Sequence, residues 1–174
     1  MVSLEVEKGV LEENSCKFSI EGDNVLLFID MEEVFKGLDK VKDEELRKFK
    51  KGNPSSIGLH SREHCDAIVI ERCKNNELII KIVELTANPE RELSILPNKT
   101  RFCDAFVSTL LERSLRLTAE KVTYVAVLVV SRDVVNKVEK YIERNRGIMF
   151  STHRPSGYHV GMKELIVKAC EGQP

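Results

Sequence analysis

Tryptophan is absent from this 174-residue chain and glutamine occurs once, at Gln173, while Glu, Lys and Arg are abundant. That imbalance resembles proteins from hot-living organisms and speaks to habitat rather than activity. A charge surplus is missing too. With 27 basic and 28 acidic side chains the net charge is -1, so no bulk field draws a polyanion. Any nucleic-acid contact must come from a local basic face. No apolar run approaches the ~20 residues a membrane helix needs, which argues against a membrane partner. The opening residues, MVSLEVEKGVLEE, are acidic and hold no apolar signal core, so the expected location is cytoplasmic. Five cysteines are scattered without a CxxC pair, as expected of reduced intracellular thiols packed as small buried side chains rather than zinc ligands. GxxxxGK[ST], GxSxG and GxGxxG are all lacking, which leaves P-loop nucleotide hydrolysis and serine-hydrolase chemistry without support. Repeats, low-complexity stretches and linkers are missing as well, and the length fits one domain spanning residues 1–174.

What is present concentrates between Cys65 and Thr86, CDAIVIERCKNNELIIKIVELT. Cys65 to Glu71 and Leu78 to Leu85 are β-branched apolar runs separated by Lys74, Asn75, Asn76 and Glu77. This is hairpin chemistry, because Asn tolerates the left-handed backbone that such turns require. A turn centred on Asn75 sets Asp66 directly opposite Glu84, on one face, with Cβ atoms about 5 Å apart. Carboxylates that close raise each other's pKa unless a cation intervenes, and a hard divalent ion such as magnesium or manganese is the usual solution. A two-residue turn at Asn75-Asn76 instead sends the two acids to opposite faces, as on an ordinary amphipathic hairpin. Glu84 ends a nearly continuous apolar run, where an unpartnered charge is costly to bury.

Around this hairpin, Cys16–Ile20 and Val25–Met31 read as two strands paired through the turn Glu21-Gly22-Asp23-Asn24. Residues 39–51 fit a short surface helix ended by Gly52-Asn53-Pro54, and 55–64 fit a loop. Glu90–Leu96 makes at most a helical turn before Pro97-Asn98 resets the chain. The apolar spacing of Thr100–Leu117 predicts a packed helix. Val122–Val130 is uniformly apolar, as in a strand covered on both faces. Ser131 is placed to cap a helix over Arg132–Arg146 that Gly147 closes. Ile148–Phe150 and Tyr158–Val160 suit short strands, and Met162–Cys170 a final helix. The expected fold class is α/β, a mixed central β-sheet flanked by helices on both faces, with an added N-terminal hairpin.

The order of these elements, with Asp66 opening the first central strand and Glu84-Leu85-Thr86 ending the second, resembles the PD-(D/E)XK nuclease superfamily, the restriction-endonuclease-like fold. The likeness covers roughly Asp43 to Val130, within a core of about residues 40–146 and a C-terminal extension of 147–174. It implies that Asp66 and Glu84 hold magnesium or manganese, with the Leu85 carbonyl as a further oxygen, and that Glu44 or Glu45 on the preceding helix assists. The family's lysine two residues after the Glu orients or activates the attacking water. Thr86 stands at that position here, and a neutral hydroxyl neither acidifies a water nor offsets phosphate charge. Lys81 lies three residues from Glu84 and projects to the other face. Lys99 and Arg101, at the next helix, are the best-placed substitutes. The implied function is a metal-dependent nuclease or nuclease-like nucleic-acid processing protein. The alternative is a catalytically silent module of the same fold, acting as a binding or assembly subunit, with a homodimer or a partner subunit as its context.

Two loops supply candidate nucleic-acid contacts. His60, Arg62 and His64 form a polar rim beside the acids, and a helical zinc pair of His60 and His64 is disfavoured by Gly58 and by the strand that follows. His153, Arg154 and Tyr158 lie in the loop 151–159, where Arg can fork onto phosphate and Tyr can stack on a base. Ordinary exposed loop residues are the favoured account of both sets.

Overall fold

In a computed structural model of the chain the described residues are 9–13, 15–20, 22–38, 64–110, 121–149 and 162–172. Strand β1 (Gly9–Glu13) pairs antiparallel with β2 (Cys16–Ile20) in a separate two-stranded sheet. A five-stranded mixed sheet holds β3 (Val25–Asp30), β4 (Ala67–Arg72), β5 (Glu77–Leu85), β6 (Lys121–Val130) and β7 (Met162–Ala169), in that spatial order. The pairs β3–β4 and β4–β5 are antiparallel, and β5–β6 and β6–β7 are parallel. Helix α1 (Met31–Leu38) follows β3, α2 (Pro89–Leu110) follows β5, and α3 (Val135–Met149) follows β6 after a short 3-10 turn, Arg132–Val134. The fold class expected from the sequence, mixed α/β with an added hairpin, is the one observed. Strands β3 and β7 of the main sheet lie outside the span 40–146 that the resemblance marks as the core.

The central hairpin owes its register to its turn. The Cys73 N–H donates to the Glu77 carbonyl at 2.8 Å and the Asn76 N–H to the Cys73 carbonyl at 3.1 Å. Asn76 takes a left-handed φ of 58°, which completes a three-residue loop centred on Asn75. Ala67 consequently pairs with Val83 and Ile68 with Ile82. Asp66 immediately precedes that ladder on one strand, and Glu84 immediately follows it on the other.

Alternation then sorts the side chains onto two faces. Ile68, Ile70, Ile80, Ile82 and Tyr124 pack under Phe102, Phe106 and Val107 of α2 and Met31 of α1. Ala126, Leu128 and Val130 continue that face under Leu93 and Leu96 of α2 and Val138 of α3. Val69, Val83, Val125, Val127 and Val129 point the other way, beneath Leu11, Phe18 and Ile20 of the β1–β2 hairpin. Among the described residues, therefore, the helices cover one face and a hairpin covers the other, in place of helices on both. From Thr123 to Val130 every residue of β6 is buried, as its unbroken apolar run implies.

Several sequence expectations are corrected. Strand β2 pairs with β1 rather than β3, because Gly22–Asn24 carries the chain across to the main sheet, with Val25 N–H on the Gly22 carbonyl at 3.1 Å. Helix α2 starts at Pro89 and runs through Pro97 without a break. Proline suits a first helical position, and the bond its missing N–H costs in mid-helix is offset by the burial of Leu93 and Leu96 around it. Arg132–Val134 is a 3-10 turn, Ser131 makes no side-chain cap bond there, and α3 passes Gly147 to end at Met149, so Ile148 is helical. Met162–Ala169 is a strand: Ile166 and Val167 are β-branched, and β6 offers an open parallel edge. Cys16 and Cys170 are joined in a disulfide with Cα atoms 5.1 Å apart, against the expectation of reduced thiols, because the fold brings together residues separated by 154 in sequence. Cys65, Cys73 and Cys103 are free thiols. The expected helix at 39–51, the loop at 55–63 and the strand at 158–160 lie outside the described residues. No helix among the described residues is long and apolar enough to cross a membrane.

Candidate functional site

Asp66, Glu84 and Lys99 meet at the end of the main sheet where β4 begins and β5 finishes, each delivered by a different element. Asp66 immediately precedes β4, its N–H bonded to the Val83 carbonyl at 3.1 Å and its own carbonyl receiving the Met31 N–H at 2.9 Å. Its Oδ2 accepts the Leu85 N–H at 2.7 Å, so the carboxylate lies against the end of β5 where Glu84 sits. Burial pushes the Asp66 carboxyl up to about 6 against the help of that N–H, and the nearby charge of Glu13, at the end of β1, adds to the rise.

Glu84 is 4% exposed. Its Oε1 accepts from Lys99 Nζ at 2.5 Å, while its Oε2 is buried without a hydrogen-bond partner. Burial first, then the charge of Asp66, push the Glu84 carboxyl up to about 8, although Lys99 opposes both. Lys99 Nζ also donates to Glu92 Oε2 at 2.8 Å. Burial works to lower the lysine, but the two glutamates outweigh it and hold the ammonium above its usual value. The cluster of Asp66, Glu84 and Glu92 thus carries more acids than its one lysine neutralises, and the unmatched oxygen is Oε2 of Glu84.

Helix α2 reaches the site because of the residues at its start. Thr86 Oγ1 accepts the Asn88 N–H at 2.9 Å, and Asn88 Oδ1 accepts the Arg91 N–H at 3.4 Å, a side-chain cap on α2. Thr86 therefore shapes the turn that sends α2, and Lys99 with it, back over Glu84. Lys81 projects away, as its spacing requires, and pairs with Glu71 at 2.8 Å on the opposite face.

The other expected site residues are spread out. His64 is half-buried next to Asp66, with Nδ1 2.9 Å from the Cys65 carbonyl oxygen. Leu85 contributes its N–H to Asp66. Arg101 is on α2, but its side chain lies outside the described residues, as do Glu44, Glu45, His60, Arg62, His153, Arg154 and Tyr158. Sequence reasoning missed Glu92 and Glu13. Glu92 precedes Lys99 by two helical turns and shares its face, a signal hidden by treating Pro97 as a break. Glu13 carries no local signal and depends on where the hairpin packs.

Among the described residues no group of three or more His, Cys, Asp or Glu side chains is arranged to hold a metal ion. Two carboxylates remain, and magnesium is commonly held by one or two of them with waters and substrate phosphates completing its shell. The partnerless Oε2 of Glu84 beside Asp66 fits such an ion. Comparison with protein-family models, with curated proteins and with solved structures gave no match to this chain.

Proposed function

We propose that this chain is a metal-dependent nuclease, hydrolysing a phosphodiester at the site formed by Asp66, Glu84 and Lys99. The observation that carries this reading is the buried, partnerless Oε2 of Glu84 next to Asp66, with the Lys99 ammonium already on Oε1. Asp66 and Glu84 would hold magnesium or manganese, which when bound supplies an acidified water and stabilises the leaving oxygen. Asp66 is oriented for this by the Leu85 N–H. Lys99 brings the positive charge that Thr86 cannot, and Glu92 steadies it. The order of antiparallel hairpin, returning helix and buried parallel strand adds support, since it is the order that the PD-(D/E)XK resemblance rests on.

The test is cleavage of labelled single- and double-stranded DNA and RNA with manganese or magnesium. Cleavage by the native chain is expected, and its loss in Glu84→Gln and Asp66→Asn while both variants keep their cooperative melting. Absence of cleavage on every substrate with either ion overturns the proposal. A second reading, a silent nuclease-fold module acting as a binding or assembly subunit, is favoured by one observation: Lys99 is held by two carboxylates and so has partners without any substrate. Nucleic-acid binding without cleavage, unchanged in the Glu84 variant, would select it.

A further inference from the structure

The β1–β2 hairpin is attached to the rest of the molecule in an unusual way. It shares no ladder with the five-stranded sheet; among the described residues its one backbone pairing beyond itself is an isolated bridge between Lys17 and Glu171, just past β7. Two-stranded hairpins are marginal on their own in water. This one is held by an apolar underside, Leu11, Phe18 and Ile20, by hydrogen bonds to Glu171, and by the Cys16–Cys170 disulfide. Glu171 takes the Ser19 N–H at 3.0 Å and the Ser19 hydroxyl at 2.8 Å, and all of these bonds are solvent-exposed. Cys170 sits just past β7, its N–H on the Val130 carbonyl at 2.8 Å. The bond therefore fastens the turn between β1 and β2 to the end of the sheet where β5 and β6 finish, the end that carries Glu84. Glu13, in that same turn region, is close enough to act on Asp66.

We propose that Cys16–Cys170 is a redox-sensitive latch, reduced by a dithiol, that holds the β1–β2 hairpin closed against the sheet face opposite the helices, at the strand ends next to Asp66 and Glu84. A thiolate of the dithiol attacks one sulfur, the Cys16–Cys170 bond breaks, and the departing thiolate takes up a proton. The second thiol of the reductant then closes its own disulfide and releases the other cysteine. Two electrons and two protons end on Cys16 and Cys170, and the reductant is oxidised. Cys16, 8% exposed and next to the exposed Ser15, is the sulfur the reductant meets first, and Cys170 at 2% is the leaving side. Once the bond is open, exposed hydrogen bonds and one apolar underside remain, and the hairpin opens locally while the main sheet stays folded. Any effect on cleavage rests on the nuclease reading; the latch itself does not.

The experiment is hydrogen exchange read by mass spectrometry, with and without dithiothreitol, alongside alkylation of the denatured chain. Without reductant, three reactive thiols are expected, those of Cys65, Cys73 and Cys103. With reductant, the amides of β1 and β2 are expected to exchange at least about tenfold faster while those of β4, β5 and β6 hold. The double variant Cys16→Ser/Cys170→Ser is expected to show the reduced pattern without dithiothreitol. Five reactive thiols before reduction, unchanged hairpin exchange, or acceleration spread evenly over all strands would each overturn the latch, the last by making the bond a global staple. None of these readouts depends on nuclease activity, so a failed cleavage assay leaves them interpretable.

Discussion

Lys99 Nζ lies 2.5 Å from Glu84 Oε1, and both side chains are almost wholly shielded from water, at 7% and 6% exposure. A buried pair of this kind contributes little net stability, since desolvation consumes most of the attraction, but breaking it from one side strands a charge. Lys99→Met is therefore expected to lower unfolding free energy by about 3–5 kcal/mol at about pH 9, where the Glu84 carboxyl is ionised. The double variant Lys99→Met/Glu84→Leu should recover most of that loss. Urea denaturation of the three proteins measures both, and a single-variant loss under about 1 kcal/mol would show that water reaches the pair.

Stability should fall as pH rises, the reverse of ordinary acid denaturation. The folded chain lifts Asp66 to about 6 and Glu84 to about 8, each above its unfolded value of 3.8 or 4.5. Both groups bind protons more tightly when folded, so their stabilising contribution is complete below the unfolded values and is lost as pH climbs through the folded ones. At about 1.4 kcal/mol per pKa unit the loss is on the order of 3 kcal/mol for Asp66 and on the order of 5 kcal/mol for Glu84. Melting temperatures taken between about pH 5 and pH 9 should decline, and Glu84→Gln should flatten the upper part of the curve. A native chain most stable at the alkaline end would contradict the burial of these acids.

The convergence of Asp66 and Glu84 depends on the left-handed Asn76, with its φ of 58°. A β-branched side chain meets the following carbonyl in that conformation, at a cost of roughly 1–2 kcal/mol. Asn76→Val should destabilise by about that amount, whereas Asn76→Gly should be tolerated to within about 0.5 kcal/mol. Thermal melts decide between them. Equal effects from Val and Gly would mean that the loop does not need this backbone geometry.

How much of this was legible in the chain depends on the range of the forces involved. The register of the central hairpin, which carries Asp66 and Glu84 to the same end of β4 and β5, could be read because a local turn sets it. Lys99 could be named as a substitute cation because it follows Glu84 closely, yet Glu92 stayed hidden behind Pro97. The strand Met162–Ala169 was misread because Glu164, Leu165 and Lys168 have helical spacing, and only the open edge of β6 overrides it. The cysteine pairing was out of reach: nothing local in residues 16 or 170 announces a partner 154 positions away.

Gly9 offers a test of the hairpin's seating that leaves the disulfide untouched. A Cβ built on Gly9 would lie 2.2 Å from Cδ2 of the Phe28 ring and 2.4 Å from its Cγ, so β1 approaches β3 at a point where only glycine fits. Phe28 is partly buried and packs with the hairpin's apolar residues, and the ring cannot yield without moving them. Gly9→Ala should therefore cost about 1–3 kcal/mol, the usual range for overpacking. Phe28→Leu, which vacates the ring edge, should relieve most of that penalty in the double variant even though it costs stability alone. The coupling between the two substitutions, from a double-mutant cycle of denaturation midpoints, is the decisive quantity. Strict additivity would place β1 away from Phe28 and remove the hairpin from the face on which this packing sets it.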